Sequence, residues 1–382
     1  MKRLKDILLN LLLMSVTVVL AVALLEALRP NTLRQGAALL GLPVSIRYMA
    51  GMGDSFVYQG HITAPPPNPY EVLAEYMPAY DANGFRLPLR PSARYDVVAL
   101  GDSFTEAYVV ARTWTDVLAE QSGLSVLNMG VRGYGMVEAA RIFSEFPPPN
   151  SPRVVIVAYF EGNDLSNAQT IDERPFVYPH DARPPDEARQ NALWRFEHTP
   201  QERYKYPMTA LLNGREQPIT LLEGYIWALN MTREEVERSN ALARIAEAWR
   251  SIQAQAGDAC VVLAYLPSKE RAFLSHIPDE QRRRAFDSPY RNRVDENGVM
   301  LIEEARGTTY DTLLPLIDNV RHAVLARAEA EGLRVIDLTP AVLEATANGA
   351  LLYYVYDTHA NQDGNDLFGR VIAEQLPAVC GL

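Results

Sequence analysis

Five short apolar runs, interleaved with stretches of helical periodicity, constrain the fold of this chain more than any other feature. The runs are Val97-Val98-Ala99-Leu100, Ser125-Val126-Leu127, Val154-Val155-Ile156-Val157, Val261-Val262-Leu263-Ala264 and Leu333-Arg334-Val335-Ile336. They are rich in Val and Ile and mostly apolar rather than alternating, as strands covered on both faces are. One amphipathic stretch between them opens at Thr232, with Glu235 three residues on in a capping-box pattern. It carries Leu242, Ile245, Trp249 and Ile252 at steps of three and four, so one helix face is expected to be buried. A second places Leu313, Ile317, Val320 and Val324 at the same spacing, and a last helix is expected over about 367–379. Strand–helix–strand repeats wind into right-handed crossovers, so the expected fold class is α/β, a three-layer α/β/α domain around a parallel sheet.

Composition narrows the function classes. The chain has 382 residues, 48% of them apolar, which is enough for a substantial core. Its formal net charge of -11 repels phosphate backbones, so no nucleic-acid partner is expected. Two cysteines, Cys260 and Cys380, are too few for a cysteine-rich zinc site or a disulfide scaffold. HExxH, CxxC, GxxxxGK[ST] and GxGxxG do not occur, so no metal and no cofactor is implied.

The chain divides into three parts. Residues 1–28 read as a signal anchor. Lys2, Arg3 and Lys5 precede an uncharged apolar stretch from Ile7 to Leu25, long enough as a helix to cross a bilayer. The basic flank stays in the cytoplasm, which puts the body in the periplasm or outside the cell. A cleaved signal peptide ending near Ala21-Val22-Ala23 is the alternative. Residues 29–94 form a Pro-rich lead-in, with Pro65-Pro66-Pro67 and Pro69 excluding a continuous helix there. Residues 95–382 are the α/β domain, interrupted at about 166–231 and 276–308 by polar, weakly periodic insertions. These read as surface additions, or as a lid over the site. Arg282-Arg283-Arg284 in the second reads as a solvated face.

Four strand ends carry chemistry. Gly101-Asp102-Ser103-Phe104 closes the first strand, where a serine hydroxyl emerges at the start of a helix and unpaired N–H groups face a developing negative charge. The same tetrapeptide at Gly53-Asp54-Ser55-Phe56 has neither a clean strand before it nor a helix after it, so Ser55 reads as a turn residue. Gly133 lies after the second strand, in Asn128-Met129-Gly130-Val131-Arg132-Gly133. Asn163 lies after the third, either as a helix cap or as an amide aimed at an oxyanion. Asp357-Thr358-His359 follows the fifth, pairing a base with a carboxylate that orients it. In a parallel sheet all these ends share one edge, the edge where sites form.

This ordered set resembles the SGNH, or GDSL-type, hydrolase superfamily from about Tyr95 to the C-terminus. The resemblance implies a flavodoxin-like sheet of order 2-1-3-4-5, with Ser103 as nucleophile and His359 and Asp357 as its partners. It implies an oxyanion hole of the Ser103 and Gly133 N–H groups and the Asn163 side chain. Asp81-Ala82-Asn83-Gly84-Phe85-Arg86 looks like the lead-in of membrane-anchored bacterial members. Two departures stand out: Glu161 occupies a position that is usually glycine, and Asp357 is two residues from His359 rather than three. The expected activity is extracytoplasmic hydrolysis of an acyl ester, on a lipid or an acylated glycan. O-acyl transfer to extracytoplasmic glycans and a catalytically silent ligand-binding role are the alternatives. Cys260 opens the fourth strand and Cys380 follows the last helix, which places both thiols at the amino edge of the sheet. They are either bridged, closing a loop of about 120 residues, or free.

Overall fold

Each apolar run becomes a strand, and the packing explains why none of them alternates. The computed structural model describes residues 80–108, 110–173, 176, 179, 208–286, 290–305, 307–355 and 358–382. The strands β1 (Val97–Gly101), β2 (Val126–Gly130), β3 (Val154–Phe160), β6 (Cys260–Leu266) and β9 (Arg334–Asp337) form one sheet in the order β2-β1-β3-β6-β9. Every pairing is parallel. Counting these five alone, the order is 2-1-3-4-5, as expected. Successive side chains enter different cores: Val97, Ala99, Ile156 and Ala158 on one face, and Val98, Leu100, Val155 and Val157 on the other. Both faces are apolar because both are covered.

One face carries α2 (Trp114–Ser122) and the long C-terminal α10 (Gln362–Cys380). The other carries α3 (Met136–Glu145), α6 (Asn240–Ala256) and α9 (Asn319–Ala330). Three helix expectations are corrected. The Thr232–Glu235 capping box exists but starts only the short α5 (Arg233–Glu237). The long helix restarts at Ser239, whose hydroxyl accepts from Leu242 N–H. Leu313 ends a separate short helix, α8 (Tyr310–Leu313), and Val320 and Val324 belong to α9, so the spacing spanned a break. The last helix begins earlier than expected because Asn361 caps it, accepting from Gly364 N–H.

Two antiparallel hairpins stand apart from the sheet, β4 (Met208–Leu212) with β5 (Arg215–Ile219), and β7 (Tyr290–Val294) with β8 (Met300–Glu304). The first turns at Asn213-Gly214, both at positive φ (48° and 73°), the conformation that tight hairpins need. Cys260 and Cys380 are bridged at the amino edge of the sheet, with Cα atoms 5.7 Å apart and a sequence separation of 120. The proposed anchor at 1–28, most of the lead-in including Ser55, and Asp357 lie outside the described residues. Among the described residues, no helix is long and apolar enough to cross a membrane.

Candidate active site

The end of β1 is built to present one serine. Asp102 caps α1 (Ser103–Glu106), its carboxylate accepting from Phe104 N–H at 2.9 Å. The turn lies pressed on two strands. A Cβ on Gly101 would meet Thr105 Oγ1 at 2.3 Å, and one on Gly130 of β2 would meet the Glu106 nitrogen at 2.3 Å. The segment after α1 is clamped by Arg86, whose buried guanidinium donates to the carbonyls of Glu106, Ala107, Val110 and Ala111. Arg86, in the stretch expected to be a lead-in, thus braces the turn that carries Ser103.

Ser103 is 8% exposed, and its Oγ lies 2.8 Å from Nε2 of His359, 256 residues later. His359 is held beside the Tyr353–Ala360 bridge, with Tyr354 N–H donating to the His359 carbonyl at 3.1 Å. Its ring lies 5.0 Å from the Phe104 ring and 5.5 Å from the Tyr108 ring, centroid to centroid, so aromatic faces limit its tilt. A neutral imidazole in this geometry accepts the serine proton along the Oγ–Nε2 line.

Among the described residues, Asp102 is a carboxylate whose charge interacts with His359, and the sequence did not single it out. Burial pushes its pKa up to about 6, against the opposing pull of the Phe104 N–H, positive charge on His359 and the Asn163 side chain. Its neighbour Asp164 accepts from Phe160 N–H at 2.7 Å. Burial and the Asp102 charge hold Asp164 well above the usual carboxylate range.

The two expected oxyanion donors are held by other parts of the site. Asn163 stands at the N-cap position of α4 (Asp164–Gln169), but its side chain makes no cap bond. Gly133 has φ 77°, which a side chain would strain. Its neighbours are pinned on both sides: Arg132 N–H donates to Glu106 of α1 at 2.8 Å, and Asn167 of α4 donates to the Tyr134 carbonyl at 2.9 Å. The Arg132 guanidinium also binds Glu106 and Tyr80. Burial pushes Glu106 up, but Arg132 and Tyr80 more than offset it, so its pKa lies below the ordinary value.

Glu161, the departure before Asn163, has a different job. It accepts from Tyr265 Oη at 2.7 Å, Ser268 N–H at 3.0 Å and Arg271 Nε at 2.7 Å, all while buried. The glutamate ties the end of β3 to the end of β6 and leaves Asn163 free of that duty.

No protein-family model matches the sequence, and no curated protein matches it. Solved structures do. An extracellular lipase from Streptomyces rimosus is 13% identical, with 75% of this chain and 99% of that one covered and a TM-score of 0.39. A lipase/acylhydrolase from Enterococcus faecalis is 12% identical, over 74% and 95%, with a TM-score of 0.35. A carbohydrate esterase family 2 enzyme from Corynascus thermopiles is 12% identical, over 78% and 70%, with a TM-score of 0.37. At these scores the likeness carries no functional weight beside the geometry. The sheet order is the expected 2-1-3-4-5, and Ser103 and His359, expected to pair, are brought to 2.8 Å of each other.

Proposed function

We propose that this chain is a serine ester hydrolase of the SGNH type. The observation that carries the reading is the 2.8 Å contact between Ser103 Oγ and His359 Nε2 at the carboxyl edge of a 2-1-3-4-5 sheet. His359 takes the Ser103 proton as Oγ attacks the ester carbonyl. The oxyanion is met by the N–H groups of Ser103 and Gly133 and by the Asn163 amide. His359 then protonates the departing alcohol, and water, activated by the same imidazole, releases the acid. Asp357 and the buried charge of Asp102 favour the imidazolium that forms in between. The apolar stretch Ile7 to Leu25 would hold the protein to a membrane with this domain outside the cytoplasm, a compartment in which the Cys260–Cys380 bridge would persist.

The test uses p-nitrophenyl esters of graded chain length and a fluorophosphonate label. Ser103→Ala is expected to lose both turnover, by about three decades or more, and labelling. Asn163→Ala is expected to keep labelling sites while kcat falls about 100-fold. Labelling that survives Ser103→Ala would remove the serine from the mechanism.

A further inference from the structure

The end of β6 contributes none of the residues placed in the active site, yet it is the most densely charged buried segment described. Ser268, Lys269 and Glu270 have no exposed surface, and Arg271 is 4% exposed. They form the cap and first turn of α7 (Lys269–Phe273). Burying an ammonium group costs several kcal/mol unless its protons find good acceptors. Lys269 finds two of them side by side. Its Nζ donates to the Tyr354 carbonyl at 2.7 Å and the Val355 carbonyl at 2.6 Å, with Thr220 Oγ1 at 3.4 Å.

Those carbonyls belong to the stem of the His359 loop. Tyr354 also donates its N–H to the His359 carbonyl, and Tyr353 Oη donates to the Pro267 carbonyl at 2.7 Å. Thr220 adds its own N–H and hydroxyl to the Val355 carbonyl. The stem is therefore held from below by Pro267 and Lys269 and from the side by Thr220. In the same turn, Ser268 and Arg271 grip Glu161, two residues before Asn163. One turn of helix ties down the approaches to both the base and the oxyanion amide. Glu270 accepts from Leu222 N–H at 2.7 Å and places a carboxyl beside the lysine, joining Thr220's segment to the same hub.

We propose that Lys269 is a positioning residue for the active-site base: its ammonium fixes the Tyr354 and Val355 carbonyls and so sets where His359 presents Nε2 to Ser103. The proposal rests on reading Ser103 and His359 as the reacting pair. A lysine suits the task because one ammonium carries three donors and meets two successive carbonyls at once.

The test compares wild type with Lys269→Met, Lys269→Arg and the milder Thr220→Val, each checked for folding by circular dichroism. Two readouts are taken: steady-state hydrolysis of p-nitrophenyl acetate, and imidazole NMR of protein labelled at its six histidines, with the His359 signal identified by its loss in His359→Gln. Lys269→Met is expected to lower kcat by about 10- to 100-fold at nearly constant KM, as for a misplaced catalytic group. It is also expected to move the His359 signal toward that of a free imidazole. Lys269→Arg should recover part of both, and Thr220→Val should show the same changes in smaller degree. A folded Lys269→Met with wild-type kcat and an unmoved His359 signal overturns the proposal. If Lys269→Met does not fold, unchanged kcat and signal in Thr220→Val overturn it instead. Wild-type protein inert to both p-nitrophenyl acetate and fluorophosphonate would sink the Ser103–His359 reading, while the NMR signal would still decide whether Lys269 holds His359.

Discussion

Asp102 serves two functions through one buried carboxyl group. It caps the turn that exposes Ser103, and its charge bears on His359. The linkage follows from its raised pKa. An unfolded aspartate ionises near 3.9, whereas the folded one holds its proton until about 6. The neutral group therefore favours the folded state fully below about pH 4, and that contribution is lost as pH rises through about 6. Two pKa units amount to about 3 kcal/mol. Asp102→Asn keeps an oxygen for the Phe104 N–H but cannot ionise. The stability of wild type minus that of the variant, from urea unfolding, is expected to fall by a few kcal/mol between pH 4 and pH 7. A flat difference across that range would show that Asp102 titrates normally. The meeting of Ser103 with His359 was legible in the sequence because each follows a recognisable apolar strand of one parallel sheet. Asp102, Glu106 and Lys269 were not singled out, because their importance lies in what they touch. Lys269 meets Tyr354 and Val355 across 85 and 86 positions of chain, and no local pattern signals that.

The elements divide along a similar line. The five sheet strands were visible because burial on both faces leaves a continuous apolar run. The hairpin strands were not: β5 reads Arg215-Glu216-Gln217-Pro218-Ile219, with its early residues in solvent. Helix starts were misjudged where a capping signal served a shorter helix, as at Thr232, because spacing alone does not reveal the interruption before Ser239. The contact of α10 with α2 shows how closely these elements meet. A Cβ on Gly369 would lie 2.5 Å from the Trp114 carbonyl oxygen and 2.5 Å from Val117 Cβ. Alanine gains about 1 kcal/mol in helix propensity over glycine, but a forced separation of packed helices costs about 1–3 kcal/mol. Backbone and a branched Cβ give way poorly, so the steric cost should prevail. Gly369→Ala is expected to lower the urea midpoint, and a raised midpoint would mean that the helices part easily.

Across the whole molecule, the bridge and the active site occupy opposite edges of one sheet. Cys260 opens β6 and Cys380 ends α10, whereas Ser103, Asn163 and His359 lie beyond the carboxyl ends. Closing a loop of 120 residues restricts the unfolded chain by roughly 4–5 kcal/mol in the chain-entropy account. Reduction, or Cys380→Ser, is therefore expected to lower Tm by several degrees while kcat at 25 °C stays at the wild-type value. A parallel loss of kcat in protein that is still folded would show that the bridge reaches the site. The long sequence separation between Ser103 and His359 has its own consequence for a protein made from one end. A ribosome delivers the serine, the Gly133 loop and Asn163 well before it delivers the histidine. Every unfinished chain thus holds Ser103 without the imidazole that contacts it in the folded protein. On the proposed mechanism, ester cleavage begins only when synthesis has passed position 359 and His359 has met Ser103, so the nascent polypeptide would be inert toward esters it meets while it is still being made.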